Sequence, residues 1–233
     1  MLKISNLTTH YGTSQALFGI DLEIGAGQVV TLLGRNGMGK TTTINSIMGI
    51  VPASGGSICF EGFELVGCPS FKTANLGLGL VPEGRQIFPN LSMMENLIAT
   101  ASNHLNVANP WTVERVFDLF PELVVRQGSM GNLLSGGEQQ MLAIGRALMT
   151  NPKLLILDEA TEGLAPLVRQ KIWAALTLIR NEGMSILVVD KNLRDLLRIA
   201  DCNFIIERGK IVWEGTSDAL RKDRKALHRY LGV

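Results

Sequence analysis

Cysteine and charged residues are both scarce in this chain of 233 residues. Its three cysteines are an odd number without the spacing of metal ligands, which argues against a disulfide scaffold and favours free thiols in a reducing compartment. Charged residues amount to 18% and the net charge is +1, so charge alone gives no reason to expect a nucleic-acid partner. The hydrophobic content of 46% is enough to bury a sizeable core, which argues against disorder.

The sequence also lacks a secretion signal and an uninterrupted apolar run. No apolar stretch follows Lys3, as a signal peptide would require. Residues 41–60 carry no charge, but Asn45, Pro52 and Gly55 interrupt them, which disfavours a membrane span. We therefore expect a cytosolic protein that reaches any membrane through a partner.

A phosphate-binding loop is the clearest feature that is present. Residues 34–42 match G-x-x-x-x-G-K-[ST] at each fixed position, between an apolar strand at 28–33 and a helix at 42–48. Its glycines let the backbone amides approach a triphosphate, its lysine adds charge for the β- and γ-phosphates, and its first threonine is placed to ligate Mg²⁺. The complete motif disfavours an ordinary glycine-rich turn. We expect nucleotide contacts from Gly34, Arg35, Asn36, Gly37, Met38, Gly39, Lys40, Thr41 and Thr42.

A second candidate anion site lies at the start of a predicted helix that runs to about Thr150. Ser135 and Glu138 form a capping-box pattern, and two consecutive glycines lie between them. Glycines lower helix propensity, but bare amides and a serine hydroxyl at a helix N-terminus can bind phosphate. The alternative is a well-capped helix with a flexible entry, and these residues alone favour both equally. The candidate residues are Ser135, Gly136, Gly137 and Glu138.

Acidic and basic residues follow two predicted buried strands. The apolar run 153–157 ends in Asp158 and Glu159, and the strand predicted at 185–189 is followed by Lys191. Open α/β sheets bind ligands at the carboxyl ends of such strands. Asp158 can hold Mg²⁺ there, and Glu159 can accept a proton from the water that attacks the γ-phosphate.

The remaining pattern divides the chain into an α/β part and a helical part. Strands are predicted at 2–7 and 17–24, and a short one at 57–60 follows a breaker at 51–56. Residues 78–81 are apolar enough for a central strand, whereas about 84–150 show only helical patterns. One of these helices is predicted to start with a capping box, with Ser92 as N-cap and Glu95 three residues on. Tyr11 lies between the first two strands, where it could stack on a base, although its position alone favours an ordinary half-buried tyrosine.

These motifs, in this order, resemble the nucleotide-binding subunit of an ATP-binding cassette (ABC) transporter. The segment 134–140 is the most specific of them, because other P-loop ATPases lack it. The details at 81–85, 163–166 and 230–232 are similar to those of the branched-chain amino acid uptake subfamily.

The resemblance implies a fold and an assembly. The fold is a P-loop NTPase (RecA-like) α/β core, at 1–83 and 151–233, with an N-terminal antiparallel β subdomain and an α-helical subdomain inserted at about 84–150. Two such cassettes, as a homodimer or heterodimer, would sandwich two ATP molecules, each between one P-loop and the partner's signature serine and glycines. Tyr11 would then stack on adenine. Separate membrane permease subunits would contact the helical insert, on the cytoplasmic face of a bacterial or archaeal membrane, and a solute-binding protein would act indirectly.

Three positions depart from the pattern of most cassettes. Glu83 replaces glutamine, and its carboxylate could ligate Mg²⁺ or order water. Ala165 replaces an aspartate, so communication across the dimer would rest on other groups. Lys191 replaces a histidine, and we expect it either to reach the γ-phosphate as a point charge or to point to solvent.

Several functions stay open. The leading one is an ATPase that drives import of branched-chain or other hydrophobic amino acids, and a cassette for urea or short amides is the alternative within transport. A soluble ABC ATPase of repair or translation would need a long coiled coil or a second cassette. A P-loop enzyme outside the ABC class, such as a small-molecule kinase, leaves the segment at Ser135 unexplained.

Overall fold

An antiparallel sheet forms the N-terminal part of the computed structural model, which describes residues 1–232. Loop 25–28 separates its first two strands from the second sheet, and its other two strands follow the first helix. All its neighbouring strands are antiparallel. In spatial order they are β2 (Ser14–Ile24), β1 (Leu2–Tyr11), β4 (Ala53–Phe60) and β5 (Phe63–Glu64).

A six-stranded sheet lies at the centre of the molecule. All its neighbouring strands are parallel except the last hairpin. Every residue of β3, β7 and β8 is buried, as expected for parallel strands that are covered on both faces. In spatial order the strands are β10 (Lys210–Gly215), β9 (Cys202–Glu207), β3 (Val29–Leu33), β8 (Ser185–Val189), β7 (Leu154–Asp158) and β6 (Leu78–Val81).

Helices connect the strands, and every element between β6 and β7 is helical. No helix within residues 1–232 is both long and apolar enough to cross a lipid bilayer. The α-helices are α1 (Lys40–Ile47), α2 (Ser70–Asn75), α3 (Met93–Ile98), α4 (Val113–Leu119), α5 (Gly136–Leu148), α6 (Pro166–Asn181), α7 (Leu193–Ile199), α8 (Ser217–Lys222) and α9 (Arg224–Ala226). Two 3₁₀ helices (Pro121–Arg126 and Gly131–Leu133) precede α5, and a π-helical turn (Leu227–Leu231) follows α9.

The central sheet separates two apolar clusters. On β7, Leu154 and Ile156 belong to the cluster shared with the antiparallel sheet, whereas Leu155 and Leu157 belong to the cluster shared with the helices. This follows from the two-residue period of a strand. The position of β7 is therefore fixed from both sides, and with it the carboxylates at its end.

Two sequence predictions about strands were wrong. Strand β4 begins at Ala53, inside the predicted breaker, because its glycines pass very close to β1: a Cβ on Gly56 would lie 2.4 Å from the Asn6 carbonyl oxygen. Strand β6 is at the sheet edge rather than its centre. It is apolar because Leu78 packs into one cluster and Val81 into the other. The short helix α2 was not predicted.

Candidate nucleotide site

A pocket of about 630 Å³ opens at the carboxyl ends of the parallel strands β3, β7 and β8. The P-loop leaves β3 there, Glu159 follows β7, and Lys191 follows β8. Its volume suits a small-molecule ligand. The sheet thus brings together residues that are more than a hundred positions apart in sequence.

Close packing explains the first glycine of the P-loop. Gly34 has a φ of 153°, and a Cβ there would lie 2.4 Å from the carbonyl oxygen of Ile206 on β9. The loop therefore leaves the sheet against a neighbouring strand, where no larger residue fits. Its later residues from Asn36 to Thr42 line the pocket, with the exception of Met38, whose sulfur accepts a hydrogen bond from the Arg208 N–H at 3.3 Å.

Lys40 is buried and closes the loop on itself. Its Nζ donates to the Arg35 carbonyl oxygen at 3.1 Å. Burial lowers the pKa of the Lys40 ammonium, and the carboxylates of Glu159 and Asp158 oppose that shift. Lys40 is one of the cations that line the pocket and could bind a phosphate. Arg35 borders a smaller pocket beside Asn36 and Leu231.

Asp158 has the surroundings of a cation ligand. It is buried, its Oδ1 has no hydrogen-bond partner among residues 1–232, and burial raises the pKa of its carboxyl. The Thr41 hydroxyl and the Lys40 ammonium offset that shift only in part. A buried oxygen without a donor is costly unless something binds it. Thr41, Asp158 and Glu83 border one small pocket, so this donor set fits a divalent cation.

Glu159 is held in an unusual backbone conformation at the mouth of the pocket. Its φ is 54°, and its N–H donates to the Val189 carbonyl oxygen at 2.8 Å. Non-glycine residues in this region are uncommon and cluster at functional sites. Burial raises the pKa of Glu159 to about 7, and the neighbouring carboxylate of Glu162 contributes to the increase.

Glu162 is a site residue that the sequence analysis did not select. Hydrogen bonds from Glu159 and Lys191 lower the pKa of its carboxyl. Glu83, Glu159 and Glu162 have carboxylate oxygens within 4.8 Å of one another. The segment 161–163 gave no signal of this role, because the contact depends on how the loop after β7 turns.

Lys191 points into this acidic cluster. Its Nζ forms an ion pair with Glu162 and lies 3.4 Å from Glu159 Oε2, although half of the side chain is exposed. The preceding Asp190 holds the loop, because its carboxylate accepts hydrogen bonds from the N–H and hydroxyl of Thr161 at 2.9 and 2.7 Å. Contact of Lys191 with a γ-phosphate stays a prediction.

The part of the pocket that would hold the base is not lined by the aromatic residue that the sequence predicts. Tyr11 is the last residue of β1, is half exposed and does not line the pocket. Phe18 and Arg208 line it instead, and the Phe18 N–H donates to the Gly209 carbonyl oxygen at 2.8 Å. Stacking of Tyr11 on adenine therefore stays a prediction, and Phe18 is a second aromatic candidate.

The capped helix α5 lies outside this pocket. The Ser135 Oγ accepts the Glu138 N–H at 3.3 Å, and the Glu138 carboxylate accepts the Ser135 N–H at 2.7 Å, so the predicted capping box is present. A Cβ on Gly137 would lie 2.7 Å from a side-chain methyl of Val168, so packing within the chain also favours a glycine there. None of residues 134–140 lines the P-loop pocket.

The fold and the site together define a P-loop ATPase whose capped helix terminus at Ser135 lies apart from the P-loop pocket. The chain belongs to the ABC transporter family, which matches residues 17–162. The fold class predicted from the sequence is confirmed by solved structures of such cassettes, and the chain is an ATPase of this family.

Three comparisons describe its similarity to known proteins. The chain is 41% identical to the high-affinity branched-chain amino acid transport ATP-binding protein BraG of Pseudomonas aeruginosa, over all of both chains. It is 32% identical to the lipopolysaccharide export system ATP-binding protein LptB of Escherichia coli, over 99% of this chain and 97% of that protein. An ADP-bound conformation of an ABC transporter cassette superposes with a TM-score of 0.81 at 26% identity, covering 100% of this chain and 99% of that one.

Proposed function

We propose that this chain is the ATP-hydrolysing subunit of an importer for branched-chain or other hydrophobic amino acids. The whole-length likeness to BraG supports import of this solute class, and the likeness to the export protein LptB is weaker. Urea or a short amide is the alternative solute.

One observation carries the assembly part of the proposal. The chain has one P-loop pocket and one capped, glycine-containing helix terminus, and the two do not meet within residues 1–232. A helix N-terminus binds anions through its unsatisfied amides. In a head-to-tail pair, the Ser135 terminus of each subunit would cover the nucleotide that the partner's P-loop holds.

The residues of the pocket have distinct roles in this proposal. The P-loop amides and Lys40 bind the triphosphate, and Tyr11 or Phe18 stacks on the base. Thr41, Asp158 and Glu83 would hold Mg²⁺, which neutralises phosphate charge when it is bound. Glu159 takes a proton from the attacking water. The oxygen of that water bonds to the γ-phosphorus, and the bond between the γ-phosphorus and the leaving oxygen of ADP breaks. The Lys191 ammonium would move from the carboxylates of Glu159 and Glu162 to contact the γ-phosphate.

We also propose the division of the chain and its partners. Residues 1–83 and 151–233 form the nucleotide-binding core, and about 84–150 form the helical subdomain. The helical elements between β6 and β7 support this boundary. That subdomain would contact membrane permease subunits on the cytoplasmic face of the membrane, and a solute-binding protein would deliver the solute to them.

The Glu159→Gln variant tests the assembly. We expect it to bind ATP, to hydrolyse it at least ~100-fold more slowly than the wild type, and to form a stable dimer in sedimentation or light scattering. The exposed Glu23→Gln variant is the matched control and should behave like the wild type. Adding Ser135→Arg to Glu159→Gln should abolish the dimer, because the large cation blocks the helix terminus. Monomers of Glu159→Gln with bound ATP contradict the proposal.

A solute-binding protein encoded next to this chain tests the import part. Its preferred ligand can be measured by calorimetry, and uptake can be measured with the reconstituted transporter. We expect ATP-dependent uptake of leucine, isoleucine or valine. Uptake of urea but of none of these amino acids would contradict amino acid import and support the alternative solute.

A further inference from the structure

The segment from Glu83 to Phe88 connects the nucleotide pocket with the helical part through a strained loop. Gly84, Arg85 and Gln86 have φ values of 75°, 67° and 43°, so three consecutive residues are left-handed and two of them are not glycine. In non-glycine residues such as Arg85 and Gln86 these conformations cost of the order of 1–3 kcal/mol each and persist only where surrounding contacts impose them.

Arg146, in the last turn of α5, supplies the main contact. Its Nη2 donates to the Gln86 carbonyl oxygen at 2.7 Å and lies 3.5 Å from that of Arg85. Its guanidinium lies 4.8 Å from the centre of the Phe88 ring. The cation thus binds the two residues with the unusual backbone and stacks on the residue that ends the loop.

Arg146 is half-buried and has no compensating carboxylate. It forms no ion pair among residues 1–232, its Nη1 atom is buried without a hydrogen-bond partner, and burial lowers the pKa of its guanidinium. Shielding a cation from water without a partner charge is unfavourable, so the hydrogen bonds of Arg146 to the loop have to offset that cost. The loop carbonyls are its only polar partners among residues 1–232.

A second contact runs from the loop back to the start of α5. Arg85 Nη1 lies 3.4 Å from Gln139 Oε1, and a Cβ on Gly136 would lie 3.1 Å from the same guanidinium. Both contacts therefore join the loop to one helix, whose N-terminus is the segment proposed to bind the partner's nucleotide. The other end of the loop begins at Glu83, whose carboxylate is within 4.8 Å of that of Glu159.

We propose that Arg146 is a positioning residue that couples two sites. It links the position of Glu83 in one nucleotide site to helix α5, whose N-terminus would bind the nucleotide of the other site. This rests on the proposed head-to-tail dimer. A displacement of α5, when Ser135 engages the partner's nucleotide, is transmitted through the guanidinium to the loop carbonyls and so to Glu83. The two ATP sites of the dimer are then linked through the body of each chain.

The experiment compares Arg146→Met with Arg115→Met. Arg115 is the control, because it also donates to two carbonyl oxygens, at 2.9 and 3.1 Å, and stacks over an aromatic ring at 4.2 Å. It differs from Arg146 in forming an ion pair, with Glu182 at 2.6 Å. We expect Arg146→Met to lower the Hill coefficient of ATP hydrolysis towards 1, and Arg115→Met to keep the wild-type value. Arg146→Lys, which is less disruptive to folding, should show an intermediate loss.

A double-substitution cycle separates positioning from general stability. We expect Arg146→Met to lower kcat about tenfold in the wild type and less than about twofold in the Glu83→Gln background, because the loss acts through Glu83. Additive losses, or an unchanged Hill coefficient in Arg146→Met, overturn the proposal.

Hydrogen exchange of the nucleotide-free chain tests the contact without requiring the dimer. Amides 84–88 should exchange at least ~10-fold faster in Arg146→Met than in Arg115→Met. Equal exchange in the two variants contradicts the proposal even if the dimer forms. If amides 84–88 exchange faster in Arg146→Met but the Glu159→Gln variant stays monomeric, the contact of Arg146 with the loop is supported. In that case the proposed dimer, and not the contact, is wrong.

Discussion

The surroundings of Glu159 disfavour the ionised form of the carboxylate that catalysis requires. A base has to be ionised, yet burial and the nearby Glu162 carboxylate favour the protonated acid and raise the pKa to about 7. Lys191 lowers it, so the three side chains set one another's charge. A base with a pKa near the working pH combines a useful ionised fraction with proton affinity.

The Glu162→Gln substitution is expected to shift the pH dependence of ATP hydrolysis. Activity of the wild type should fall as the pH decreases through about 7, because Glu159 becomes protonated. Without the Glu162 charge the pKa of Glu159 is lower, so the acid limb of kcat/KM should move to lower pH. Because the ionisation of ATP is the same for both proteins, the difference reports Glu159. A limb that stays in place contradicts the assignment.

Among the elements, the segment 88–96 shows how a buried side chain replaces regular structure. Asn96 of α3 is fully buried; its Oδ1 accepts the Phe88 N–H at 2.8 Å, and its Nδ2 lies within 3.1 Å of the carbonyl oxygens of Phe88, Leu91 and Ser92. The loop's polar groups are thus satisfied by one amide. The Ser92 capping box was predicted from sequence, whereas the role of Asn96 was not, because it depends on the loop folding back.

The Asn96→Ala substitution should therefore destabilise the protein by about 2–3 kcal/mol, because it leaves several buried backbone groups without partners. The exposed Asn132, whose backbone N–H donates to the Pro89 carbonyl oxygen of this segment at 3.4 Å, is the control, and Asn132→Ala should cost less than ~0.5 kcal/mol. Urea denaturation followed by circular dichroism measures both. Equal losses would show that the Asn96 amide does not hold the loop.

For the molecule as a whole, the nucleotide site is maintained at a cost in stability. The buried Asp158 has an oxygen without a donor, and its pKa is raised by burial. A raised pKa means that the folded state favours the protonated acid. Its contribution to stability is therefore fully present below the unfolded pKa and is lost as the pH increases through the folded pKa.

The Asp158→Asn variant is expected to be more stable than the wild type at pH 7 in the absence of nucleotide, and the difference should shrink as the pH falls towards 4. The variant should also lose the additional stabilisation that Mg²⁺ gives to the ADP complex. For the wild type this stabilisation is about 2.7 kcal/mol when the Mg²⁺ concentration is 100 times the Kd of Mg²⁺ for that complex. Thermal unfolding at the two pH values, with and without MgADP, measures both effects. A less stable variant at pH 7 would show that Asp158 is satisfied within the chain.

The sequence by itself determined the local parts of this protein. The P-loop, the capping boxes at Ser92 and Ser135 and the apolar strand ending at Asp158 were all readable, because each depends on neighbours a few residues away. Tertiary structure decided the rest: the contact of Glu162 with Glu159, the place of Phe18 in the pocket, and the hold of Arg146 on Gln86. These depend on sheet order and on the paths of loops, which bring distant residues together in ways that no local pattern records.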